Sequence, residues 1–323
     1  MSQIVADSLL LLVTVIWGTT FVVVKEAISA IKPFTFIAVR FFIGGIFLLV
    51  IVLLRAYAAG KNSRNTEGPA SRNAADCHAL SETGQSGHSF MKGSVVTGIV
   101  LFLAYATQTV GLITVPAGKA AFITGLSVVM VPVASSVLLR AALPKNTVLG
   151  VALATIGLGI MSLTFPLTIQ AGDLLVFLCA IGFAAHILLI EKHSKNNDPV
   201  VFAAIQLLIV SGGAFLAAIM FEWPLTIPRD SWASITYTAI IATSLTILIQ
   251  SGVQKYTSAT HAALILSAEP VFGALFAWLK AGEVLASREI CGGILILAGM
   301  IISEIGSTIK PGRRFFTFIG DLF

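Results

Sequence analysis

Ten stretches of this chain are apolar over lengths that cross a lipid bilayer. They cover residues 7–27, 33–55, 93–113, 117–140, 146–165, 171–190, 198–221, 231–255, 259–279 and 288–306. A helix needs roughly 20 apolar residues to span the hydrocarbon layer. Backbone N–H and C=O groups find no water there, so each window reads as a helix that satisfies its own backbone. Most links between windows are short and carry turn residues, such as Lys32-Pro33, Pro144-Lys145-Asn146 and Asn197-Asp198-Pro199. Short links join antiparallel neighbours. The expected fold is an all-α integral membrane bundle of ten transmembrane helices.

Composition narrows the function classes. The chain is 57% apolar and 11% charged, against about 25% charged in a soluble domain. The net charge of +5 therefore reports membrane topology and gives no sign of a nucleic-acid partner. Cys77, Cys179 and Cys291 are odd in number, far apart and without metal-ligand spacing, so neither a disulfide framework nor a zinc site is indicated. Residues 1–7 hold no basic cluster, and no cleavage signal precedes the second window. The first window is read as an uncleaved helix.

One link differs. Residues 56–91 are polar, rich in Ser, Asn, Gly and Ala, and aperiodic, which predicts a disordered tether. Placing Met1 in the cytoplasm puts thirteen basic residues on that side: Arg55, Lys61, Arg64, Arg72, Lys92, Arg140, Lys145, Lys192, Lys195, Lys255, Lys310, Arg313 and Arg314. Six fall on the other: Lys25, Lys32, Lys119, Arg229, Lys280 and Arg288. The excess of cytoplasmic Lys and Arg predicts both termini inside, in a multi-pass protein of the plasma membrane. Residues 307–323, which mix Arg and Phe, are read as a cytoplasmic tail, frayed or lying on the headgroups.

The chain also repeats itself. At an offset of 166 residues, Asp7 aligns with Asp173, Trp17-Gly18 with Phe183-Ala184, Thr20 with His186, Pro33 with Pro199 and Arg40 with Gln206. After the polar link the offset is 142, matching Gln108 with Gln250, Ala117 with Ala259, Lys119 with His261, Gly150 with Gly292 and Gly157 with Gly299. The two units are residues 7–165 and 171–306. Each holds five windows, an odd number, so the copies must lie inverted in the membrane. Inverted repeats are the mark of a device with two equivalent gates about a central site.

Candidate site residues are the polar ones inside the windows. Glu269, followed by Pro270, sits near the middle of the ninth. A carboxyl in hydrocarbon costs several kcal/mol unless paired, protonated or hydrated. Proline leaves the carbonyl one turn back without a donor, which predicts a helix break there. Glu269 is then a solute or proton site, or a protonated acid bonded to a nearby carbonyl. Arg40, seven residues below the outer end of its helix, is either a snorkelling structural cation, paired with Glu26 for instance, or a clamp for an anion. Lys119 offers the same choice, with Glu26, Glu269 or an anionic substrate as its counter-charge. His261 and the deeper His186 are hydrogen-bonded rings or titratable switches. Gln108, Gln206 and Gln250 complete the polar set, and Trp17 lines a cavity or packs.

The motif Ile16-Trp17-Gly18-Thr19-Thr20-Phe21 with Lys25, then Pro33 and Arg40-Phe41, resembles the opening of the EamA type of the drug/metabolite transporter superfamily. The run from Thr257 to Ala263, then Glu269-Pro270, Gly282-Glu283 and Leu297-Ala298-Gly299, is similar to the family's closing half. The resemblance covers all but residues 56–91 and the tail. It implies two EamA repeats of five helices, a central cavity, and export or exchange of small metabolites by alternating access. The long second link departs from the family pattern.

No phosphate-binding Gly-rich loop, His-Glu-x-x-His, Cys cluster or Gly-x-Ser-x-Gly occurs, so no ATP motor, metal site, cofactor or hydrolase is expected. Secondary transport of a small solute, amino-acid or organic-acid like, is the leading expectation, with protons as a candidate coupling ion. A membrane enzyme or sensor is the alternative.

Overall fold

The computed structural model describes residues 1, 3–66, 72–139, 142–162, 170–195, 197–281 and 286–305. The described residues are almost wholly helical. The first unit holds α1 (Gln3–Ala30), α2 (Pro33–Thr66), α3 (Arg72–Gly111), α4 (Ala117–Gly125), α5 (Ser127–Leu139) and α6 (Lys145–Ser162). The second holds α7 (Ala171–His193), α8 (Pro199–Phe221), a 3₁₀ turn (Arg229–Ser231), α9 (Trp232–Ala239), a π-helical turn (Ile240–Leu245), α10 (Thr246–Val253), α11 (Ala259–Leu266), α12 (Glu269–Ala281) and α13 (Ser287–Ile305).

Among the described residues, eight helical segments are long and apolar enough to cross a membrane, and Lys145–Met161 is a shorter apolar helix. The tenth window is α13, of 19 residues. Apolar side chains such as Leu53, Val137, Leu216 and Ile294 face outward, while Arg40, Gln206, Thr243 and Gln250 are buried. That distribution suits lipid outside and polar chemistry inside.

Local sequence starts several of the helices. Asp198 Oδ1 accepts from Val200 N–H at 2.7 Å, and Pro199 needs no donor partner at the first helical position. Ser258 Oγ accepts from His261 N–H at 3.2 Å at the head of α11. The start of α2 is capped from elsewhere. The Glu222 carboxylate, just past α8, accepts from Phe34 N–H (2.8 Å), Thr35 N–H (2.7 Å) and Thr35 Oγ1 (2.8 Å).

Packing follows the internal repeat. α6 lies on α13 and α2 on α8, each helix against its own copy. α3 against α7 is mirrored by α1 against α9 and α10, and α1 against α11 and α12 by α7 against α4 and α5. The glycines show the inversion directly. A Cβ on Gly150 would lie 2.6 Å from Gly299 O, and one on Gly157 would lie 2.5 Å from Gly292 O. The residue numbers rise on one helix as they fall on the other, so α6 and α13 run antiparallel with their backbones touching. Close approach through small residues is how helices hold together where lipid is as apolar as leucine.

Three features differ from the sequence expectation. The link over 56–91 is not structureless throughout: α2 runs on to Thr66 and α3 begins at Arg72. Arg55-Ala56-Tyr57-Ala58 contains good helix formers that let α2 continue past the apolar window. The break expected at Pro270 lies just before it, at Ser267 and Ala268, so that Glu269 opens α12. Its copy at Leu126, between α4 and α5, has no proline beside it and was not foreseen. Gly282, Glu283 and the tail lie outside the described residues.

Candidate functional site

The two broken spans face each other across the repeat boundary. Ser127 opens α5 and Glu269 opens α12, and these positions are equivalent at the offset of 142. Discontinuous helices near the bilayer midplane are where transporters build solute sites. Gly18 lets α1 come against the second break, because a Cβ there would lie 2.8 Å from both Glu269 O and Gly273 N.

A cavity opens between these elements, with about 830 Å³ of space outside the atoms, mouth included. α1 contributes Trp17, Thr20 and Phe21; α2 contributes Arg40; α3 contributes Tyr105 and Gln108. Across from them stand Thr124 and Ser127, Phe183 and His186, Gln250, and the Ser267–Pro270 break with Glu269. Apolar walls with a few convergent polar groups are the usual make-up of a small-molecule site.

Arg40 is buried, and its Nε donates to Thr243 Oγ1 at 2.7 Å. Its guanidinium carbon lies 5.4–5.9 Å from the ring centres of Phe36, Phe41 and Tyr105. Among the described residues no carboxylate stands within ion-pair distance of it, Glu26 included. Thr243 belongs to the π-helical turn, which side chains help to satisfy. Ser244 Oγ donates to Ala239 O at 2.8 Å, and Trp17 Nε1 donates to Ala242 O at 3.0 Å. Such turns recur at functional sites.

Other groups are partly engaged. His186 Nε2 is 2.8 Å from Gln206 Oε1, so Gln206 stands behind the cavity and holds a ring that lines it. Gln108 Nε2 makes a long contact of 3.4 Å to Thr124 Oγ1. Gln250 Oε1 is buried and accepts no hydrogen bond. No protein group donates to the Glu269 carboxyl among the described residues, although the residue lines the cavity.

Lys119 and His261 stand apart from the cavity lining. Lys119 Nζ lies 2.7 Å from Asp173 Oδ2, which also accepts from Gln170 N–H at 2.7 Å. Asp173 thus supplies a counter-charge to Lys119 in this conformation. The reason is geometric: α4 starts beside the start of α7, at the edge of the bundle. His261 Nε2 lies 3.4 Å from Asp7 Oδ2. The sequence expectation also missed Tyr105, Thr124 and Thr243. Leu101, Tyr105, Gln108 and Leu112 follow each other at spacings of three and four, a helical face that marks Tyr105. Nothing in the sequence marks Thr243.

A multi-span helical bundle of two inverted units around a polar cavity defines a membrane transporter. The chain belongs to the EamA-like transporter family, which it matches over residues 4–163 and 170–304. It is 33% identical to an uncharacterized transporter of Archaeoglobus fulgidus over 303 residues, 94% of this chain and 87% of that one. The uncharacterized transporter YvbV of Bacillus subtilis is 27% identical over 239 residues, 73% of this chain and 68% of the relative. A solved crystal structure superposes with a TM-score of 0.72 at 17% identity, covering 93% of this chain and 97% of the other.

Proposed function

We propose that the protein is a secondary transporter, an exporter or exchanger, that moves a small carboxylate-bearing metabolite by alternating access around the central cavity. An amino acid or organic acid has the required chemistry. The observation that carries this reading is Arg40, a buried cation lining the cavity with no carboxylate of the described residues in ion-pair reach. Arginine holds five N–H donors and matches a carboxylate in two-point geometry. Its Nε is committed to Thr243, which fixes the plane of the fork. The unpartnered Gln250 Oε1 supplies an acceptor in the same space. Glu269, without a donor among the described residues, is the proposed proton site.

The basic-residue bias supports an orientation with both termini on the cytoplasmic side of the plasma membrane. Counterflow in reconstituted vesicles tests the transport reading. Labelled amino or organic acids should be taken up against a preload of the same solute. Wild-type protein that shows no counterflow with any carboxylate would overturn the substrate class. A product formed without solute movement would identify an enzyme instead.

A further inference from the structure

The Lys119–Asp173 and His261–Asp7 pairs are the same contact made twice. Asp7 aligns with Asp173 at the first offset, and Lys119 with His261 at the second. Each pair joins the first helix of one unit to the fourth span of the other: α7 to α4 in one case, α1 to α11 in the other. Because the units are inverted, the two pairs sit at opposite ends of the bundle. Each therefore bridges the seam between units at one end of the bundle, beyond the cavity lining. Both are closed in the structure, at 2.7 and 3.4 Å.

The chemistry of the two copies differs. Lysine is a cation throughout the physiological range, whereas histidine changes charge between about pH 5 and 8. We propose that the two pairs are equivalent latches on the two mouths, and that histidine in the second copy makes opening of the N-terminal mouth depend on proton release from His261. The inference rests on the alternating-access reading. With the ring protonated, His261 and Asp7 attract as ions across the seam. With the ring neutral, that attraction is gone and the mouth can part. The lysine latch is released only by competing contacts.

Other charged groups surround this mouth. Glu191 of α7 accepts from Ala259 N–H at 3.2 Å, and Lys192 and His193 follow it in sequence. Lys195 acts electrostatically on Glu191, Lys145 starts α6 and Lys255 lies in the turn before α11. α5 carries no charged residue. These groups stay in place when the latch residues are exchanged, so an exchange isolates the pair.

The test is hydrogen exchange read by mass spectrometry on the full chain in lipid nanodiscs, corrected for the intrinsic pH dependence of exchange. It needs no solute. In wild-type protein, exchange over residues 254–258 should rise from about pH 5 to 8, by up to about tenfold per pH unit. Residues 112–116, at the other mouth, should show no such rise. His261→Lys should hold residues 254–258 protected across the range. Adding Lys119→His to that variant should transfer the pH dependence to residues 112–116. His261→Arg, a second permanent cation, guards against a local folding defect in the lysine variant. A pH response at 254–258 that survives both substitutions overturns the proposal, as does a wild-type protein without one. Failure of counterflow with the latch exchange intact would remove the transport reading alone.

Discussion

Arg40 Nε donates to Thr243 Oγ1 at 2.7 Å, joining α2 to a π-helical turn about 200 residues further along the chain. The bond fixes the guanidinium plane without neutralising its charge. A buried cation left this way costs several kcal/mol in a membrane interior. Three aromatic rings around it recover part of that. An anionic solute would recover more.

Arg40→Gln is therefore expected to weaken apparent affinity for a carboxylate solute by about tenfold or more, as loss of a charge-assisted contact does. Arg40→Lys keeps the charge but loses the fork and the Thr243 bond, so it should rescue only partly. Counterflow titrations on both variants decide this. Wild-type affinity in Arg40→Gln would make the residue part of the scaffold.

Glu269 lines the same cavity without a donor among the described residues. Glu269→Gln preserves shape and removes the exchangeable proton. Transport, or its dependence on pH, should be lost while the protein remains folded in the membrane. An unchanged pH profile in vesicles would end the proton assignment.

The glycine contacts between α6 and α13 make a stability prediction. Gly150→Val places side-chain atoms where Gly299 O already lies 2.6 Å from a single Cβ. Overpacking of this kind costs about 1–3 kcal/mol, so the thermal midpoint in detergent should fall. Gly118, within α4, has open space where its Cβ would stand, and Gly118→Ala should hold or slightly raise the midpoint, because alanine favours the helix.

Glu222 closes the head of α2 with three hydrogen bonds. Glu222→Ala leaves the Phe34 and Thr35 donors without that partner and should cost about 1–2 kcal/mol, the usual range for a lost cap. Thermal unfolding measures it. Solute affinity should not change, because Glu222 is remote from the cavity lining.

Orientation has its own check. In a variant that keeps Cys77 as its only cysteine, a membrane-impermeant thiol reagent should fail on intact cells and succeed after lysis. Efficient labelling of intact cells would reverse the proposed topology.

Much of the site was legible because the repeat and the polar residues are both readable in the chain. Trp17, Arg40, Gln108, His186, Gln250 and Glu269 all line the cavity. Lys119 and His261 stand away from the cavity lining, paired with aspartates; depth along a helix can be counted in the sequence but rotation about its axis cannot. At about 100° per residue, a small change in helix setting turns a side chain from the cavity to a neighbour. Asp7 and Asp173 had been aligned with each other, yet only the packed helices show that each meets a cation from the other unit.

The membrane environment, the span pattern, the inversion of the two units and the family are readable from the chain alone. These follow from segment length, hydropathy and self-similarity, which are properties of the chain taken in order. Where the fourth span breaks, that the eighth carries a π-helical turn, and which charges pair emerge only once the helices are packed. Those outcomes depend on backbones meeting at glycines and on side chains finding partners in other helices, contacts between residues from about 50 to more than 200 positions apart.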